Sequence, residues 1–147
     1  MASFVYDNAK EQILLGTIDF STDDMRVALL MTNTTADTEK DKATIAGFTT
    51  VDDFDGAGYS AGGSALAGEA VAEDGANNRA EFDATNLTFS SLGAGTRQIA
   101  GALLYKFVTD FNSSLPVAWI DSGGFPITAN GGDITLQWNA EGILQAT

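Results

Sequence analysis

The chain has 147 residues, neither histidine nor cysteine, and 20 acidic side chains against 7 basic ones, a formal net charge of −13. The missing residue types exclude Ser-His and Cys-His nucleophile pairs, disulfides and cysteine-based zinc sites. The charge repels nucleic acid and anionic membranes; a charged partner should present a basic face, and the alternative is that the acids simply keep the protein soluble.

The length fits one domain, residues 1–147, whose core can bury roughly 68–70% of the surface that the unfolded chain exposes. No apolar run reaches the roughly 18 residues of a membrane span. The start lacks the basic and apolar regions of a signal peptide, so a soluble protein that is not secreted by that route is expected.

In chain order, Ala2-Ser3-Phe4-Val5-Tyr6 alternates. Residues 1–6 read either as an edge strand or as an N-terminal arm laid on a neighbouring subunit. One helix is predicted over residues 9–15, with Asn8 as N-cap, Glu11 at capping-box spacing and Gly16 as the C′ glycine. Its Ala9, Ile13 and Leu14 are expected to dock it on a sheet, because two turns do not persist alone.

Strands and turns follow. Residues 17–20 alternate, and Met25–Met31 is nearly all apolar, as a central strand would be. Residues 32–42 form a polar loop, residues 44–51 read as an edge strand or an ordered loop, and residues 52–63 are dense in glycine turns. Residues 65–72 are a small-residue strand, 73–78 a turn, 79–83 and 86–89 alternating strands with Ala80, Phe82, Leu87 and Phe89 inward. Residues 98–107 are apolar on both faces. Residues 117–121, 133–138 and 142–146 complete the set, with turns at Ser122-Gly123-Gly124 and Asn130-Gly131-Gly132. Many short strands with Gly and Asn turns and one short helix predict a mostly β fold, an antiparallel β-sandwich or barrel-like domain.

The motifs carry little chemistry. Gly58-Tyr59-Ser60-Ala61-Gly62 matches the G-x-S-x-G nucleophile elbow by its letters, but no helix pattern follows and no histidine exists. It reads instead as a glycine-rich loop in which Tyr59 packs. Gly56-Ala57-Gly58 with Ala61 loosely matches a dinucleotide fingerprint, but it follows acids that would repel a pyrophosphate. Asp52, Asp53 and Asp55 supply oxygens of the type a hard cation takes, yet the distant Glu of a calcium loop is absent, and a solvated acidic loop is expected. Trp119 and Trp138 both read as core. No catalytic, cofactor or metal site is assigned, and the protein is expected not to be an enzyme. The candidate protein interface comprises Phe4, Val5 and Tyr6 with the loop aromatics Phe48, Phe54, Tyr59, Phe111 and Phe125.

As a set, the segments Asn8-Ala9-Lys10-Glu11-Gln12-Ile13-Leu14, Gly16-Thr17-Ile18-Asp19-Phe20, Met25-Arg26-Val27-Ala28-Leu29-Leu30, Gly58-Tyr59-Ser60-Ala61-Gly62-Gly63, Arg79-Ala80-Glu81-Phe82-Asp83, Gly132-Asp133-Ile134-Thr135-Leu136-Gln137-Trp138 and Gly142-Ile143-Leu144 have a family look. They resemble a group of small proteins encoded among the virion genes of tailed bacteriophages, some of which look like head decoration, or cement, proteins. The resemblance spans nearly the whole chain and rests mostly on core strands and turns. It implies a structural virion protein on the outer capsid surface, assembled in the bacterial cytoplasm. Its partner would be the major capsid protein, and it would bind where capsid subunits meet, often as a trimer, without nucleic acid or membrane. The alternative is a tail or fibre module that binds a host receptor or glycan through loop aromatics and acids.

Overall fold

The structure, a computed structural model, describes residues 2–147. It is mostly β: three antiparallel sheets and a single short helix near the N-terminus, arranged as a sandwich-like fold. The elements are β1 (Phe4–Val5), α1 (Asp7–Leu14), β2 (Met25–Met31), β3 (Ser64–Ala65), β4 (Ala70–Asp74), β5 (Arg79–Asp83), β6 (Leu87–Phe89), β7 (Ile99–Lys106), β8 (Leu115–Ile120), β9 (Ile134–Leu136) and β10 (Leu144–Ala146). The large sheet runs β1-β8-β7-β2-β3, a second sheet β10-β5-β4, and a two-stranded ribbon pairs β6 with β9.

The apolar character of β2, β7 and β8 explains the centre of this arrangement. β7 has β2 on one side, from Met25 opposite Lys106 to Met31 opposite Ile99, and β8 on the other. Both of its edges are therefore paired, and Leu103, Leu104 and Trp119 are all but inaccessible. Burying each such side chain contributes about 1.5–3 kcal/mol. Gly101 makes room for the tryptophan, since a Cβ there would lie 2.4 Å from the Trp119 ring. Buried residues from all three sheets join one hydrophobic cluster.

The helix differs from expectation at its start. Tyr6 is the N-cap, with no side-chain capping bond, and Asn8 lies within the helix. The reason is tertiary. The Tyr6 amide donates to Val117 O at 3.0 Å and its side chain is fully buried, so the sheet fixes the chain there and the helix starts at once. The C-terminus is as predicted. Gly16 (φ +70°) donates to Ile13 O and Thr17 N donates to Gln12 O at 2.9 Å, the paired bonds of a Schellman motif.

Residues 17–20 form no strand; Asp19 instead organises a turn by accepting from Ser21 N at 2.9 Å. Residues 44–51 are an ordered loop with a 3₁₀ turn at Ile45–Gly47. The strand expected over 65–72 is split between β3 in the large sheet and β4 in the small one. Leu66 N still bonds Met25 O, but at Gly68 (φ +67°) the chain turns away and changes sheets. The N-terminal segment lies on its own sheet, with β1 as an edge strand, and is not a free arm. Phe4 faces Trp119, Val5 faces Ala118, and Ala2 N reaches Ile143 O at 3.0 Å. Met1 lies outside the described residues.

Candidate protein-binding surface

The aromatic residues proposed for an interface do not form one patch. Tyr6, Phe48 and Phe54 are buried, at 0%, 5% and 4% exposure, which corrects their assignment to an outer surface. Tyr6 donates its hydroxyl to Ala36 O at 2.6 Å and packs against Phe48 at 5.5 Å between ring centres. Burial pushes its phenol pKa far above the ordinary value. These rings anchor loops to the core, which long polar loops need if their backbone is to be ordered. Phe4 and Val5 are half-buried at the sheet edge, where Lys40 Nζ lies 4.5 Å over the Phe4 ring. Phe111 is half-buried against Tyr105, ring centres 5.3 Å apart.

The glycine-rich loop is a structural clamp. Tyr59 is half-buried, its hydroxyl tied to Asp53 Oδ1 and the Leu29 amide, both at 2.9 Å. Gly63 (φ +78°) comes so close to β2 that a Cβ would sit 1.9 Å from Val27 O. The loop runs into β3, so the G-x-S-x-G letters carry no strand-turn-helix elbow.

The three nearby aspartates are each held by hydrogen bonds; Asp55 is exposed, as expected of a solvated loop, whereas Asp52 and Asp53 are half-buried, which corrects that expectation for them. Asp52 takes a forked pair of bonds from Arg97 at 2.6 and 3.0 Å, which holds its carboxyl below the usual range. Asp53 accepts from Gly62 N at 2.7 Å as well as from Tyr59, and burial pushes its pKa up. Asp55 accepts from the Thr96 amide and hydroxyl at 2.8 and 2.7 Å. Among the described residues no group of three or more acids is placed to hold a metal ion.

The largest exposed apolar feature lies elsewhere, around the end of α1. Ala9 is buried as predicted, but Leu14 is 88% exposed, Leu15 65% and Ile13 36%. At 100° per residue, three consecutive apolar side chains on a two-turn helix cannot all face the sheet. Ile13 lines an apolar groove of about 230 Å³ together with Val5, Phe20, Val71, Phe82 and Leu144. Register makes this groove: Val71, Phe82 and Leu144 stand side by side on β4, β5 and β10, and Phe20 lies against Phe82 at 4.7 Å. Val71 is 52% exposed at its outer edge. Among the described residues, four of the five exposed large hydrophobic ones therefore belong to this helix end and groove; Val108 is the fifth.

The surrounding charge is one-sided. Six of the seven bases are held in ion pairs, and Lys40 sits over Phe4. Arg79, the base nearest the groove in sequence, is shared among Asp74, Glu81 and Glu141 at 3.1, 2.7 and 3.6 Å. Glu69 and Glu73, beside and within β4, have no cation within 4.0 Å among the described residues. An apolar face bordered by uncompensated acids suits a partner with an apolar contact bordered by Lys or Arg.

A second groove, about 220 Å³, is lined by Phe125, Trp138, Ile120, Ile127, Thr135 and Gln137 among others. Trp119 is core as expected, but Trp138 is half-buried in this groove, which corrects its core assignment. β9 ends at Leu136; beyond it, Trp138 Nε1 donates to Thr85 O at 3.0 Å. No helix among the described residues is long and apolar enough to cross a membrane. No protein-family model, curated protein or solved structure matches the chain.

Proposed function

We propose that the protein is a non-enzymatic structural component of a phage virion, a decoration protein that binds between major capsid subunits on the outside of the head and stabilises the shell. The exposed apolar side chains Ile13, Leu14 and Leu15 at the end of α1, together with the groove edge at Val71 on the strand that carries Glu73, are the observation that carries this reading. A monomer in water gains nothing from leaving these side chains outside, whereas a partner surface covers them. Modest contact per copy, repeated over a symmetric shell and joined by trimer contacts, gives strong collective binding through multivalent linkage. The strong negative charge keeps such a protein off DNA during assembly. Co-sedimentation of the purified protein with heads assembled without it tests the reading: saturable co-pelleting supports it, and protein left in the supernatant opposes it.

A second reading, a tail or fibre module binding a host glycan, draws on one feature, the groove in which Phe125 and Trp138 lie beside the polar Thr135 and Gln137. Aromatic and hydrogen-bonding groups side by side suit a sugar ring, and a glycan array tests that reading.

A further inference from the structure

We propose that the free edge of β4 takes up an extended segment of the capsid partner as an additional strand. This segment carries an apolar residue opposite Val71 and a Lys or Arg two positions away, opposite Glu73. The inference rests on the capsid-binding reading and specifies how the apolar face is completed.

β4 ends its sheet. All five of its residues pair with β5, from Ala70 opposite Asp83 to Asp74 opposite Arg79, and no strand lies on its other side among the described residues. Half of its backbone donors and acceptors therefore point away from the sheet, ready to pair with another chain. Natural edges are usually blunted by charges, Pro, a bulge or a covering segment. β4 has no Pro, its register with β5 runs without a shift, and its charges, Glu73 and Asp74, repel an acidic strand but attract a basic one. Ala70, Val71, Ala72 and Glu73 are all exposed, and the two alanines leave the edge sterically open.

The side-chain pattern then specifies the occupant. Val71 and Glu73 share one face by the period of two, and that face leads into the groove through Phe82 and Leu144. An added strand widens the groove and covers Val71. Its apolar side chain opposite Val71 extends the Val71–Phe82–Leu144 row by one position. Its residue opposite Glu73 meets a carboxylate with no cation of its own, as Arg79 is engaged by Asp74, Glu81 and Glu141. A second copy of this chain is the poorer occupant. It brings another −13 of charge, and its own β4 offers no Lys or Arg to Glu73.

The test is hydrogen exchange by mass spectrometry on the protein free and bound to heads assembled without it, paired with Glu73→Lys. Glu73 is exposed and outside every ion pair, so this variant keeps the wild-type melting temperature. The proposal predicts that amides in 70–74 exchange at least tenfold more slowly on the heads, and that Glu73→Lys weakens head binding about tenfold. Bound copies with unchanged exchange in 70–74 would overturn strand addition and leave capsid binding standing. No bound copies would remove both. The same protection in concentrated protein without heads, with a dimer in sedimentation, would make the occupant a second copy and overturn the proposal.

Discussion

The Tyr59 hydroxyl donates to Asp53 Oδ1 at 2.9 Å and accepts the amide N–H of Leu29 at the same distance. The phenol thus replaces a missing strand. β3 reaches β2 only at Arg26 and Val27. Beyond it, the edge of β2 is finished by the loop: Tyr59 at the Leu29 amide, then Phe54 N to Leu29 O at 2.9 Å and Met31 N to Asp52 O at 2.8 Å. Removing the hydroxyl leaves a strand amide and a partly buried carboxylate each short of a partner. Tyr59→Phe is expected to cost about 2–4 kcal/mol. Urea unfolding checks this, as a lower midpoint at unchanged slope; a midpoint equal to wild type would show that water takes over both bonds.

Gly63 and Gly123 test close approach separately from backbone strain. Both have φ near +80°, at +78° and +86°, but a Cβ at Gly63 meets Val27 O at 1.9 Å while one at Gly123 meets nothing within 4 Å. Gly123→Ala should cost about 1–2 kcal/mol, the left-handed penalty alone. Gly63→Ala should cost at least about 3 kcal/mol, because strand backbone must move. Equal melting temperatures for the two would contradict the clamp.

Acid should weaken the fold through Glu39. It accepts from Thr49 Oγ1, Thr49 N and Thr35 Oγ1 at 2.6, 2.7 and 2.8 Å, and these bonds lower its pKa from 4.5 to about 2. A depressed folded pKa gives stability that is complete above 4.5 and is lost as pH falls towards about 2. Asp53 works in the opposite direction: burial raises its pKa, so its protonation on acidification favours the folded state. Melting temperature measured from pH 6 downwards should fall below pH 4.5, with a shallower fall in Glu39→Gln. Identical profiles would remove Glu39 as a cause.

The proposed capsid contact assigns the exposed leucines to binding rather than folding. Leu14→Ser combined with Leu15→Ser should leave stability within about 1 kcal/mol, as expected of substitutions at exposed positions. It should also weaken binding to heads at least tenfold. Lost stability with unchanged binding would reverse that assignment.

Much of the fold was legible because the strongest strands obey their own periodicity. Met25–Met31 and Ile99–Lys106 lie where continuous apolar runs place them, and Arg79–Asp83 where alternation does. Gly16 ends the helix as a C′ glycine should. What failed was decided by distant partners. Tyr6 displaces Asn8 as N-cap because Val117 and the core hold it. Residues 65–72 read as one small-residue strand without revealing that Gly68 moves the chain to another sheet. The surface was harder to read than the core. Phe48 and Phe54 were interface candidates among the loop aromatics, but they fold inward as anchors. Leu14 was expected to dock and faces outward. The signal that could have found it is the run Ile13-Leu14-Leu15, too wide an apolar arc for one helix face.

The central claim, that this protein decorates a capsid, is tested most directly by cryo-electron microscopy of heads assembled without it and then incubated with it. The account predicts stoichiometric, symmetric density on the outer shell where capsid subunits meet, with α1 and the β4–β5–β10 face turned towards the capsid. Bare heads, or density only on tails, would contradict it.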